Sequence, residues 1–390
     1  MPFRSLARSG YRLSRRAAVA LFWCTIAGLA PASVLAQPVS PPSAVQTKST
    51  LSPGAQRFFA LVRENFAAFD RNHDGTLTRE EIEIDMQNPR IMGDAAAALA
   101  ALKLAATESN HLNETHAYTL AEIDAMEQTL QSTGKLKPNL VKYFEDGRNK
   151  QAEVPRTLFF DGGPRLTAIR QDWTTDCYFL ATIGSLAHSN PHALVRLITP
   201  NPDGSYIVAF PGKRPVRVSA PTDTELAAYS NAKDGIWLGL LEKAYGMTRI
   251  ADEPQQAKTR QPLDSVGFRT GSTRVVEVLT GHTSKFVGLP ANTHKPADPR
   301  LFQELRADLQ AAMHQHRAVM LSNSHHSYSI IGFDPAADKV TIHNPYHRNG
   351  TEMFTDGSKA ERTDGVFTLS TTQVVNYFNY LHIETNQRKA

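Results

Sequence analysis

Apolar positions along the chain change period several times, and each change marks a predicted element. Phe58, Leu61, Val62, Phe66 and Phe69 recur three and four residues apart, so 55–69 is expected to be an amphipathic helix. Residues 93–107 are rich in Ala and Leu and read as a second helix. Thr119 followed three residues later by Glu122 forms a capping box that opens a helix through Met126 and Leu130. Leu180, Ile183, Leu186 and Ala187 then mark a buried helix beginning near Cys177, with Asp176 as its N-cap. Residues 235–246 are apolar over most of a helical circumference, and 301–316 over one face. The runs 205–210, 216–218, 318–321, 327–333, 339–343 and 365–369 read as strands. Beyond residue 157 this order predicts an α+β fold, a helical lobe followed by an antiparallel β lobe with a cleft between them.

The first 36 residues stand apart from this pattern. Arg4, Arg8, Arg12, Arg15 and Arg16 precede an apolar run from Ala17 to Ala30, and Val34-Leu35-Ala36 supplies a small-residue cleavage pattern. This is the layout of a secretory signal, too short for a comfortable membrane span. The expectation is an exported protein, periplasmic or secreted, with no stable membrane anchor after cleavage. The segment holds five Arg and no acid, so its removal takes the formal net charge from +4 to −1. A near-neutral chain without a long basic run gives nucleic-acid binding no support. Cleavage also removes Cys24 and leaves Cys177 as the single thiol, so no internal disulfide is expected. Pro38, Pro41, Pro42 and Pro53 make 37–54 a flexible leader, and 134–156, mixing Gly, Lys and Pro with polar residues, reads as a linker.

Between the first two helices lies Asp70-Arg71-Asn72-His73-Asp74-Gly75-Thr76-Leu77-Thr78-Arg79-Glu80-Glu81, which fits the twelve-residue EF-hand loop. Asp70, Asn72 and Asp74 provide side-chain oxygens, Thr76 a backbone carbonyl and Glu81 a closing bidentate carboxylate, while Gly75 permits the sharp turn. This hard oxygen set suits Ca²⁺. A second hand ending at Glu122 would place His111, Asn113, Thr115 and His116 at its ligand and turn positions. Lacking a carboxylate at the first and Gly at the sixth, it reads as a degenerate partner that binds no ion. Residues 55–133 are thus expected to form a small all-α EF-hand pair.

Cys177 sits where a polar turn runs into an apolar helix. Helix N-terminal N–H groups favour negative charge, so ionisation of a thiol there is expected to be eased. Gln171, six residues upstream, could offer a side-chain N–H to an oxyanion beside the sulfur. A nucleophilic thiol needs an imidazole, and the imidazole an orienting group. Downstream, His326 opens one predicted strand in Ser324-His325-His326-Ser327-Tyr328-Ser329-Ile330, and Asn344 ends the next in Thr341-Ile342-His343-Asn344-Pro345-Tyr346. A hairpin would bring the two side by side.

These segments resemble the calpain family of cysteine peptidases. Gln171…Asp176-Cys177-Tyr178-Phe179-Leu180-Ala181 resembles its nucleophile segment, and His326-Ser327-Tyr328-Ser329-Ile330 its His-Ala-Tyr-Ser-Val segment. His343-Asn344-Pro345-Tyr346 resembles its Arg-Asn-Pro-Trp segment, 237–245 its Trp-x-x-Leu-Leu-Glu-Lys-Ala-Tyr helix, and 277–281 the start of its Leu-Thr-Gly-Gly loop. The resemblance covers about 160–380. It implies a papain-like two-lobed catalytic domain at 157–387, hydrolysing peptide bonds in protein or peptide substrates. Cys177 would be the nucleophile, His326 the general acid/base, Asn344 its orienter, and Gln171 with the Cys177 N–H the oxyanion hole. Thr175 stands in place of a family Gly, Tyr178 and Tyr346 in place of Trp, and His282 in place of the second Gly. Ala168 replaces the acidic residue of the family's core calcium site, so that site is not carried over. Two other readings use the same residues: a thiol amidase or acyltransferase, and an inactive calcium-dependent binding protein on a protease scaffold. The sequence leaves the oligomeric state open.

Overall fold

The computed structural model describes residues 51–108, 117–172, 174–252, 254, 261–267, 272–290, 298–354 and 356–389. The expected signal sequence, nearly all of the expected leader and positions 111–116 of the expected second hand lie outside the described residues, as does Trp173.

Five helices come first: α1 (Pro53–Phe69), α2 (Arg79–Met86), α3 (Gly93–Glu108), α4 (Leu120–Thr133) and α5 (Leu140–Glu153). Ser52 caps α1 by accepting from Ala55 N at 3.2 Å, and Pro53 occupies the first turn, where no N–H is needed. The apolar face of α1 buries Phe58, Phe59, Leu61, Val62, Phe66 and Phe69. α2 and α4 open with the same reciprocal capping box, Thr78 with Glu81 and Thr119 with Glu122. The loops before them meet in an antiparallel bridge, Leu77 N to Tyr118 O at 2.7 Å and Tyr118 N to Leu77 O at 3.0 Å. α3 carries fully buried Ala96–Ala101, whose small side chains let α5 and α8 (Asp223–Ala228) approach closely.

The linker expected at 134–156 is corrected by α5. Leu140, Tyr143 and Phe144 on one face of that helix are buried against α1 and α3. Its sequence reads as polar because Lys142, Glu145, Asp146 and Arg148 occupy the opposite face.

The remainder is mixed α and β with antiparallel sheets. β1 (Ile169–Arg170) precedes α6 (Cys177–Ser189) and α7 (Pro191–Val195). β2 (Ile198–Pro200), β3 (Ser205–Val208) and β4 (Val216–Ser219) form a three-stranded sheet, and β5 (Asn231–Ala232) pairs with β1. α9 (Trp237–Asp252), α10 (Pro262–Val266) and α11 (Ser272–Thr280) follow. Trp237, fully buried, donates Nε1 to Asp234 Oδ1 at 2.6 Å and anchors the start of α9.

The last third builds a six-stranded antiparallel sheet. Its elements are β6 (His282–Gly288), α12 (Pro299–His314), β7 (Val319–Ser322), β8 (Ser327–Asp334), β9 (Lys339–His343), β10 (Gly350–Met353), β11 (Lys359–Arg362), β12 (Val366–Leu369), α13 (Thr371–Tyr377) and β13 (Tyr380–Arg388). Strand order is β12-β9-β8-β7-β13-β6, and β10 pairs with β11 separately. α6 lies against β7 and β8. Ser185 Oγ donates to Ile330 O at 3.2 Å and accepts from Val319 N at 2.8 Å, while Ser329 Oγ donates to Ala181 O at 2.7 Å. A Cβ at Gly184 would lie 2.6 Å from Ser329 Oγ, so this close seat requires glycine. The seating brings the N-terminus of α6 to the same end as the start of β8 and the end of β9.

Candidate active site

A cleft of about 390 Å³ opens there, lined by Gln171, Cys177, Tyr178, His326, Tyr346 and Arg348 among others. The half-buried Cys177 begins α6. Asp176 stands at the cap position, but its side chain makes no capping bond, contrary to expectation. Its Oδ2 instead accepts from Thr174 Oγ1 at 2.7 Å and Ser230 Oγ at 2.9 Å, pulling the carboxylate away from the helix end. Burial pushes the Cys177 thiol up, and the charge on Asp176 adds to this. The N–H and hydroxyl of Ser327 and the N–H of Tyr178 pull the other way without reversing it. The expectation of eased ionisation is therefore corrected: in the resting cleft desolvation outweighs the helix terminus.

His326 is held from both sides. Its backbone N donates to Asn323 Oδ1 at 2.7 Å, and Nε2 lies 2.9 Å from Asn344 Oδ1. The Tyr346 ring stacks on the imidazole with centroids 4.8 Å apart and planes 8° from parallel, while Tyr328 meets it edge-on at 4.7 Å. Burial lowers the imidazole pKa, and the Asn344 bond opposes that only in part. The hairpin register sets Ser329 opposite His343, which places Asn344 just past the pairing and beside His326. His325, adjacent in sequence, lines the cleft but is exposed and lacks the Asn344 bond.

Gln171 lies in the same cleft. Its backbone N donates to Pro345 O at 2.9 Å, tying the segment before Cys177 to the residues just past β9. Its Nε2 donates to Thr174 O at 3.0 Å, which uses one of two amide hydrogens. The structure thus brings Cys177, His326 and Gln171 to one cleft, with Asn344 buried behind His326.

Three further side chains support the site, and sequence reasoning assigned none of them a part in it. Glu352, on β10, accepts from Asn344 Nδ2 at 3.3 Å and from Tyr328 Oη at 2.7 Å, and pairs with Arg362. This fixes the Asn344 amide so that its oxygen faces His326. Glu242, on α9, is buried beside Asp176; burial and that neighbour push its carboxyl well up, toward the protonated form. Arg348 lies over Tyr346, its Cζ 5.7 Å from the ring centroid. Glu352 and Arg348 sit in no motif; Glu242 lies in the quoted helix segment, where an acid within an apolar run was the available signal.

The 70–81 loop is the second candidate site. Asp70 Oδ1 and Oδ2 accept from Asp74 N at 3.2 Å and Gly75 N at 2.8 Å. Asn72 Oδ1 accepts from Asp74 N at 2.9 Å, and Asp74 Oδ1 from Thr76 N at 2.8 Å. Glu81 folds across, Oε1 accepting from Arg71 N at 2.9 Å and Oε2 from Thr78 N at 2.9 Å. Burial pushes the Glu81 carboxyl up, and the Thr78, Asn72 and Arg71 donors more than cancel it, leaving it lowered. Gly75 has φ 83°, a turn that glycine adopts without strain. Among the described residues no three His, Cys, Asp or Glu side chains form a ready metal cage. The expected set draws two of its five members, Asn72 and Thr76, from outside those types. Asp70 and Glu81, both buried with their side-chain oxygens turned into one loop, fit a hard cation.

No family model matches the chain, and no curated protein matches it.

Proposed function

We propose that this protein is an exported cysteine endopeptidase with a calpain-like, papain-like two-lobed catalytic domain behind an N-terminal EF-hand pair. The observation that carries the reading is the 2.9 Å contact from His326 Nε2 to Asn344 Oδ1 in a cleft that Cys177 also lines. With Nε2 engaged on Asn344, Nδ1 is the nitrogen that serves the thiol. As Sγ attacks the peptide carbonyl, its proton passes to Nδ1, and the carbonyl electrons move onto oxygen. The free N–H of Gln171 and the Cys177 backbone N–H receive that oxyanion. Collapse breaks the C–N bond, and His326 gives its proton to the departing amine. Water, deprotonated by His326, then hydrolyses the thioester and restores the thiol.

In the 70–81 loop, Asp70, Asn72, Asp74, the Thr76 carbonyl and Glu81 would hold Ca²⁺, which when bound ties α1 to α2. The Leu77–Tyr118 bridge and the matched capping boxes support the paired-hand reading.

The test is hydrolysis of an unstructured protein such as casein before and after alkylation of Cys177, run with Ca²⁺ and with chelator. Hydrolysis lost on alkylation supports the reading; hydrolysis that survives complete alkylation, or no hydrolysis under any condition, overturns it. Calcium is expected to raise the melting temperature, and Glu81→Gln to remove that rise; an equal rise in the variant would exclude this loop as the site.

A further inference from the structure

The cleft carries an uneven set of fixed charges. Its acid, Asp172, is already paired, with Lys150 Nζ 2.6 Å away and both groups largely buried. Its arginine, Arg348, has no carboxylate within 4 Å among the described residues. The guanidinium lies over the Tyr346 ring, and the backbone beneath it is held by Arg362 Nε donating to Arg348 O at 2.8 Å. Arg362 itself is occupied by Glu352, so it does not share the cleft.

The stack fixes which side of the scissile bond this cation faces. Tyr346 lies flat on His326, and Arg348 contacts the Tyr346 ring in turn. On the proposed reading His326 delivers the proton to the departing amine, so the elements built outward from its ring flank the leaving half of the substrate. Laid end to end, the 4.8 Å and 5.7 Å contacts put the guanidinium no more than 10.5 Å from the imidazole centre. An extended peptide advances about 3.3–3.6 Å per residue. That upper bound covers about three residues, so it suits a side chain at one of the first three positions beyond the cut.

Resting on the peptidase reading above, we infer that Arg348 makes the leaving-group side of the cleft a subsite for an acidic side chain, so that preferred substrates carry Asp or Glu shortly after the scissile bond. The planar guanidinium, pre-oriented by the Tyr346 ring, can donate two parallel N–H bonds to a carboxylate. Lys at the same place meets like charge.

The experiment uses fluorogenic peptides differing only in Glu, Gln or Lys at the first, second or third position after the cut. At low ionic strength kcat/KM is expected to favour Glu over Gln by about fivefold, the scale of one partly exposed ion pair. Added salt should shrink the ratio. Arg348→Gln should bring the ratio to about one, and Arg348→Glu should shift preference to Lys. Arg348 is exposed, so melting temperature is the check that both variants stay folded. Cys177-dependent cleavage with no acidic preference, or a preference unchanged in Arg348→Gln, overturns the subsite and leaves the peptidase reading standing. No Cys177-dependent cleavage of any peptide overturns both.

Discussion

Cys177→Ala and His326→Ala are each expected to lower kcat/KM by about 10³-fold or more, with no more than a small change in melting temperature. The losses should not add in the double variant, because thiol and imidazole act on one proton. The electrostatics of the site make this sharper by predicting a pH profile. Burial holds the Cys177 thiol above its ordinary range and the His326 imidazole below its own. Across neutral pH the cleft is therefore lined by a thiol and an uncharged imidazole. Attack then needs His326 as a base, and only its uncharged form can accept the proton. The sign follows: kcat/KM should be level through neutral pH and fall on the acid side as His326 protonates, below the ordinary histidine range. Alkylation of the resting thiol by iodoacetamide should rise about tenfold per pH unit toward its raised pKa. A fast alkylation plateau persisting to about pH 5 would instead mean a preformed thiolate–imidazolium pair, and would sink this account.

That profile departs from the sequence expectation for a physical reason. Position in the chain announced a thiol at a helix N-terminus, and it is there. What the sequence could not announce was how far α6 sinks between α9, β7 and β8. Burial of the N-terminal turn is a property of three elements far apart in the chain. The same division runs through the fold. α1, α6 and α12 were legible because their apolar residues repeat at helical spacing, and α3 because its Ala/Leu-rich run is apolar nearly all round. β8 was legible because a strand packed against α6 keeps a dense apolar run, and β9 because Val340 and Ile342 alternate with polar neighbours. β6 and β13 were not. β6 is an edge strand whose Phe286 is 58% exposed, so its pattern His-Thr-Ser-Lys lacks an apolar face. β13 buries Leu381, His382 and Ile383 in succession, which erases the alternation of a one-sided strand. α5 was hidden because half its circumference is charged. Within the site, Cys177, His326 and Asn344 were legible through local segments, whereas Glu352 reaches Asn344 from a hairpin that no spacing rule connects to it.

Glu242→Gln is expected to stabilise the protein at neutral and alkaline pH, an unusual result for a buried charged-type residue in a fully packed helix. Glu242 and Asp176 are both buried, and of their four carboxyl oxygens only Asp176 Oδ2 has a neutral donor, from Thr174 and Ser230. A proton on Glu242 shared with Asp176 Oδ1 would satisfy two of the three oxygens that remain. Lys150, the nearest cation acting on Glu242, is itself paired with Asp172 and does not supply the missing charge. The linkage sign follows from the raised folded pKa. Stability from this proton is complete below the ordinary glutamate range, where folded and unfolded chains both hold it. It is lost as pH rises toward the raised folded value, because the unfolded chain gives the proton up and the folded chain does not. The loss accrues at about 1.4 kcal/mol per pH unit for one proton. A glutamine donates to Asp176 through its amide N–H without taking up a proton, so the variant escapes this slope. The difference in melting temperature, variant minus wild type, should therefore grow steadily from about pH 5 to pH 8. Glu242→Leu, which removes the donor and leaves the Asp176 charge buried without it, should instead destabilise by about 3 kcal/mol or more. A difference between glutamine variant and wild type that stays flat with pH would mean that Glu242 is ionised in the folded protein, and the shared proton would have to be abandoned.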